Sequence, residues 1–129
     1  MRYLLDTSVF LWLRTAPERV RGPVRARLAD PAAQLALSVA SAFELAFKQS
    51  LERLSLPGPV RIWLPQAMLE AQCEALPITI AHALEAALLP LHHRDPFDRF
   101  IVAQARVEGL TLVTSDKALS RYEVEILRA

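Results

Sequence analysis

RDPFDRFIVAQARVEGLTLVTSD, residues Arg94 to Asp116, decides the fold of this chain. It reads as a helix, a glycine turn, a buried strand and an acid at the strand's end. Asp95 can cap the helix, because its short carboxylate accepts from the free amides of the first turn. Pro96 takes the first helical position, where a missing N–H does no harm. Asp98 falls on the first turn, and Ile101, Val102 and Ala105 follow it at helical spacing on the same face. Such a face is buried, so Asp98 stands at the solvent end of a core-facing stripe. Gly109 closes the helix, and Leu110–Thr114 is a short apolar strand that delivers Asp116 at its carboxyl end.

The same strand-then-acid arrangement opens the chain, where Tyr3-Leu4-Leu5 runs into Asp6. Working outward, Asp6-Thr7-Ser8 turns into a helix through Val9–Leu13, broken by Pro17. Val20–Leu28 is a second helix, with a turn at Asp30-Pro31. Leu35–Ser38 is a second buried strand, and Val39–Ser50 a helix carrying Glu44 between Phe43 and Phe47. Leu56–Pro59 is a loop, and Val60–Glu70 a helix that Pro65 can kink. A third strand, LPI, falls within Cys73–Ile80, and Ala81–Leu89 is a small apolar helix leading to a His92-His93-Arg94 turn. Val124–Leu127 closes the chain as a strand. Strands alternating with helices predict an α/β fold with a parallel sheet covered on both faces.

The 129 residues suffice for one domain with a real core, and 53% of them are hydrophobic, which excludes a disordered chain. A net charge of +1 carries no global argument for nucleic acid or membrane. The basic residues are nearly all Arg, with Lys only at 48 and 117. Arg suits bidentate phosphate contacts, and GC-rich coding produces the same composition. Cys73 is alone, so no disulfide framework or cysteine metal site is expected. Asp6 interrupts the first apolar run, and no run reaches the roughly 20 residues that span a bilayer. The expectation is a cytoplasmic protein without a membrane segment.

Each acid has a plain structural use. Asp6 can cap the helix after it, Glu44 can close a capping box opened by Ser41, Asp95 caps, Asp98 favours the positive helix end, and Asp116 can cap a turn at Lys117. Taken together they say more. Of five aspartates only Asp30 lies outside these positions. If the first strand and the one before Asp116 are neighbours, Asp6 and Asp116 face one crevice, which capping does not require. Clustered carboxylates repel one another unless a cation lies between them. Mg²⁺ or Mn²⁺ suits an all-oxygen ligand set.

The residues LLDTSVFLW, SVASAFELAFK, LPLHHRDPFDRFIVAQARVEGL and LVTSD, in that order over nearly the full length, resemble a PIN domain of the VapC-like toxin type. The resemblance implies a three-layer α/β/α fold with a mainly parallel central sheet. It also implies a Mg²⁺- or Mn²⁺-dependent endoribonuclease, a homodimer, and pairing with a small VapB-like antitoxin. Residue by residue, Asp6, Glu44, Asp98 and Asp116 match the family's acidic quartet. Asp6 and Asp116 are the first choices for metal ligands; Asp98 could bind metal or orient the attacking water, and Glu44 could orient that water, act as base or join Asp95 as a further metal ligand. Asp95 is an additional acid with a cap role and a possible site role. Thr7 and Ser115 adjoin quartet acids and could hydrogen-bond a carboxylate or a metal-bound water.

Weaker candidates for RNA or partner contact are Arg14, Arg21 and Arg25, which equally make a solvated helix face, and His93 and Arg94 in the turn. His82 is expected on a helix surface. Trp12 and Trp63 are expected to pack, and Leu11, Trp12 and Leu13 carry more apolar surface than one helix face buries, a docking place for the antitoxin. Two other classes remain open: a phosphoryl-transfer or receiver-like domain, which shares the parallel sheet and acidic crevice, and a catalytically silent PIN-like binding module. Against the receiver, no acid ends the second strand and Thr7 follows Asp6.

Overall fold

A computed structural model describes residues 1–92 and 95–129. The chain runs β1 (Arg2–Leu5), α1 (Thr7–Thr15), α2 (Gly22–Ala29), β2 (Gln34–Ser38), α3 (Val39–Ser50), α4 (Val60–Glu70), β3 (Cys73–Leu76), α5 (Ile80–Leu88), α6 (Pro96–Glu108), β4 (Thr111–Thr114) and β5 (Ile126–Arg128). Short 3-10 turns at Pro17–Arg19 and Lys117–Arg121 follow α1 and β4.

The five strands form one sheet in the order β3-β2-β1-β4-β5, and every pairing is parallel. The chain therefore builds outward from β1 to β3, then returns to lay β4 on the other side of β1. Loops at the carboxyl ends of β1 and β4 depart in opposite directions and leave a crevice there, where open α/β sheets place their ligands. This order also sets the receiver-like reading aside, because the first strand of that fold is flanked by the second and third. Here β1 is flanked by β2 and β4.

Alternation along β1 explains the layering. Tyr3 and Leu5 face one side, where they pack with Val9, Phe10, Val24 and Leu45 from α1, α2 and α3. Leu4 faces the other, among Ala86, Ile101, Val102 and Leu112. A strand buried on both faces must be apolar throughout, which is why YLL and LTLV read as continuous runs. The structure is thus a three-layer α/β/α fold.

The deciding stretch forms as its residues dictate. The Phe97 amide donates to Asp95 Oδ1 at 2.9 Å, and Pro96 begins α6. Ile101, Val102 and Ala105 are buried to 1% exposure or less. Gly109 ends the helix at φ 66°, a left-handed conformation that costs a Cβ-bearing residue free energy. Its neighbour Leu110 donates back to the Ala105 carbonyl.

Three expectations are corrected. The third strand is CEAL, Cys73–Leu76, and not LPI, because Pro77 has no N–H with which to extend the ladder. The last strand begins two residues later than Val124 and ends at Arg128. His82 is only 1% exposed: the Thr79 amide donates to its Nδ1, its own amide is capped by the Thr79 hydroxyl, and Nε2 meets Glu108 Oε2 at 2.9 Å. With Nδ1 an acceptor, Nε2 carries the proton and donates. Leu11, Trp12 and Leu13 pack half-buried against the core, and an exposed apolar stripe lies on α5, at Ile80, Leu84 and Leu88. Trp63 meets Phe10 edge-on, and the Arg19 guanidinium lies 4.5 Å from the centre of the Trp12 ring.

Candidate acidic site

Asp6 leaves β1 pinned to β4, its amide donating to the Val113 carbonyl at 2.9 Å. It occupies the N-cap position of α1 without a side-chain capping bond. Its carboxylate turns to β4 instead, where Oδ2 accepts from the Thr114 hydroxyl at 2.6 Å. The Thr114 oxygen in turn accepts from the Asp116 amide at 3.1 Å. One buried hydroxyl thus ties the two strand-end acids together. Asp116 also caps, with Oδ1 accepting from the Ala118 amide at 2.9 Å.

Asp6 is 7% exposed, and burial pushes its carboxyl above the usual 3.8. Bonds from Thr114 and from the Thr7 backbone draw it back, while the charges of Glu44 and Asp116 push it further up. Glu44 and Asp116 thus lie within electrostatic reach of Asp6.

Glu44 comes from the next strand over. Ser38 ends β2 and caps α3 by accepting from the Ala40 amide, so the capping box expected of Ser41 and Glu44 is absent. Ser41 accepts from the Thr7 hydroxyl at 2.7 Å, which locks α1 to α3. Glu44, 8% exposed, is instead bound by Lys48 one turn on, at 2.7 Å. That bond raises the Lys48 amine above its usual 10.5, with the charges of Glu44, Asp95 and Asp98 adding to it against desolvation. Lys48 therefore stands among the acids, a role the composition of α3 did not announce. An acid followed four residues later by a lysine was the available signal.

Asp98 is half-buried at the start of α6, on the face that continues into the core. The arginine of DPFDR has a separate use. Arg99 reaches back to the Ala86, Leu89 and Pro90 carbonyls at 2.7, 2.9 and 3.1 Å and satisfies the end of α5. Of the hydroxyls expected near the acids, Thr7 bonds Ser41, and the one that reaches Asp6 is Thr114, not Ser115. Arg14 pairs with Glu70, Arg21 donates to the Arg128 carbonyl, and Arg25 is exposed. His93 and Arg94 lie outside the described residues.

Among the described residues, no three His, Cys, Asp or Glu side chains stand together as a ready ligand cage. The acids are held by their own partners: Asp6 by Thr114, Glu44 by Lys48, Asp116 by Ala118. The donor chemistry nonetheless fits a small hard cation. Magnesium keeps several waters and needs only one or two carboxylates. An aspartate raised by burial, and further by two neighbouring negative charges, is where a cation lowers the free energy most.

Comparison with known proteins agrees with this geometry. The PIN domain family matches residues 3–125. Ribonuclease VapC22 of Mycobacterium tuberculosis is 37% identical over 120 residues, covering 92% of this chain and 90% of that protein. The structure of VapBC2 from Rickettsia felis bound to a promoter DNA fragment superposes with a TM-score of 0.74 at 15% identity, over 99% of this chain and 98% of that one. DNA-bound VapBC from Salmonella typhimurium gives 0.69 at 17%, with the same coverage. At those identities the solved structures speak for the fold alone. The family match and the identity to a VapC relative, on top of the strand order and the acids at its switch point, mean that the chain belongs to the PIN-domain family and is VapC-like.

Proposed function

We propose that this protein is a divalent-metal-dependent endoribonuclease, the toxin of a toxin–antitoxin pair. The observation that carries the reading is the Thr114 hydroxyl held between the Asp6 carboxylate and the Asp116 amide at the β1–β4 switch point, with the Asp6 carboxyl raised chiefly by burial and further by its acidic neighbours. The VapC22 ribonuclease relative supports the RNA substrate, and the VapBC structures support a VapB-like antitoxin.

Asp6 and Asp116 would hold the cation, and Asp98 would complete its surroundings. A bound Mg²⁺ or Mn²⁺ supplies Lewis acidity and offsets negative charge at an RNA phosphodiester. Thr114 orients Asp6 through its hydroxyl. Glu44 serves as the base that takes a proton from the attacking water, and Lys48 holds the Glu44 carboxylate in place. Asp95 holds the first turn of α6, and so the position of Asp98, by its cap.

The homodimer is assigned to α5. Ile80, Leu84 and Leu88, followed by Leu91, are 61% to 84% exposed and form an apolar stripe that a second copy would cover.

The test is RNA cleavage by purified protein, with EDTA added and then Mg²⁺ or Mn²⁺ restored. Cleavage should stop and return. Activity that persists in metal-free buffer, with contaminating nuclease excluded by an Asp6→Asn control, refutes the metal-dependent reading.

A further inference from the structure

Three phenylalanines at the site are not explained by the core. Phe43 is 60% exposed and Phe47 49% exposed, and neither belongs to a packed cluster on either face of the sheet. Their rings stack at 5.7 Å between centres and 16° between planes, and Phe97 of α6 meets Phe43 at 5.7 Å and 35°. Each ring is the chain neighbour of a site residue: Phe43 of Glu44, Phe47 of Lys48, and Phe97 of Asp98. The buried face of α3 is Ala40, Ser41, Glu44 and Leu45, so the two α3 rings flank the acids without supporting them.

We propose that Phe43, Phe47 and Phe97 form a stacking platform for an unpaired RNA base beside the scissile phosphate. The inference rests on the ribonuclease reading and deepens it. A phosphodiester held at the acids carries its bases on adjoining riboses, within reach of rings that adjoin those acids in the chain. Every base has a π-face, so an aromatic platform binds single strands with little sequence preference. Bases inside a duplex keep their faces stacked on one another and present none. Lys48 adds charge complementarity: its side chain is half-exposed and one of its three donors is bonded to Glu44. A phosphate beside the rings meets that ammonium, whereas an apolar peptide gains nothing from it.

The experiment uses the full chain and a mixed-sequence single-stranded RNA carrying 2-aminopurine, a purine whose fluorescence is quenched on stacking. Quenching is titrated in EDTA, and KM and kcat are measured separately with Mn²⁺. Phe43→Ala and Phe47→Ala should each weaken binding and raise KM by about 5- to 100-fold, the worth of one stacked base, with kcat little changed. Phe43→Trp should bind at least as tightly as the parent. Phe43→Leu, which keeps apolar volume and loses the flat face, should resemble Phe43→Ala, and the same RNA annealed to its complement should resist cleavage. Unchanged melting temperatures confirm folding, as expected for exposed rings. A leucine variant equal to the parent, equal cleavage of duplex, or variants that lose affinity only for a protein partner overturn the platform. A parent that cleaves no RNA overturns the ribonuclease reading and this inference with it; cleavage with Mn²⁺ that the substitutions leave untouched overturns the platform alone.

Discussion

The hydroxyl of Thr114 donates to Asp6 Oδ2 across 2.6 Å, joining residues 108 positions apart in the chain. Thr114 is fully buried, and the same oxygen accepts from the Asp116 amide, so one side chain sets the geometry of both strand-end acids. Thr114→Val keeps the shape and removes the donor. It should cost about 1–3 kcal/mol, because a buried carboxylate loses a charge-assisted bond. Urea denaturation at neutral pH measures this, and Thr114→Ser should recover most of it. A valine variant as stable as the parent denies the bond its role.

Asp6 should make stability rise as pH falls. Its folded-state pKa lies above the ordinary 3.8, chiefly through burial. When pH drops through that raised value, the folded chain takes up a proton that the unfolded chain does not yet hold, and the fold gains. The gain is complete below 3.8 and is lost as pH rises through the folded pKa. Asp6→Asn escapes the cost of burying a charge. In metal-free buffer it should therefore be more stable than the parent at neutral pH, with the difference closing as pH falls towards 3.8. Denaturation midpoints of both proteins across that range test it; a difference that widens on acidification refutes it.

Asp95 and Asp98 lie one helical turn apart and should behave differently. Asp95 accepts from the Phe97 amide, and asparagine caps about as well, so Asp95→Asn should keep much of the cleavage activity. Asp98→Asn removes charge from the site while nearly preserving shape. Its melting temperature should hold and its cleavage rate fall by a factor on the order of 10² or more. The reverse outcome would show that the acid of the first turn has been assigned to the wrong residue.

Arg99 should matter for stability out of proportion to its place on the surface. Its guanidinium satisfies three carbonyls at the end of α5, a fork that a lysine amine cannot reproduce. Arg99→Lys should lower stability by about 1–2 kcal/mol, with the carbonyls left to water. Hydrogen exchange should rise in the last turn of α5 and leave β1 and β4 protected. Uniform loss of protection would mean that the contact is not local.

Wherever structure depends on near neighbours, the residues alone determined it. Asp95, Pro96 and Gly109 bound α6 because capping, a fixed φ and a left-handed turn are local demands met within a few residues. The apolar runs of β1 and β4 announced strands buried on both faces, and the acids after them announced a polar edge. Tertiary structure decided the rest. His82, in a short apolar helix, carries no local sign that Glu108 will cover it. Nothing around Thr114 says that its hydroxyl, and not that of Ser115, will face Asp6, because that follows from the register Leu5 opposite Val113. Lys48 among the acids and the contact of Phe43 with Phe97 depend likewise on where α6 lands against α3. Local chemistry sets the conformation of a segment, whereas a site is a set of distances between segments, and those distances exist only once strand order and packing have closed the sheet.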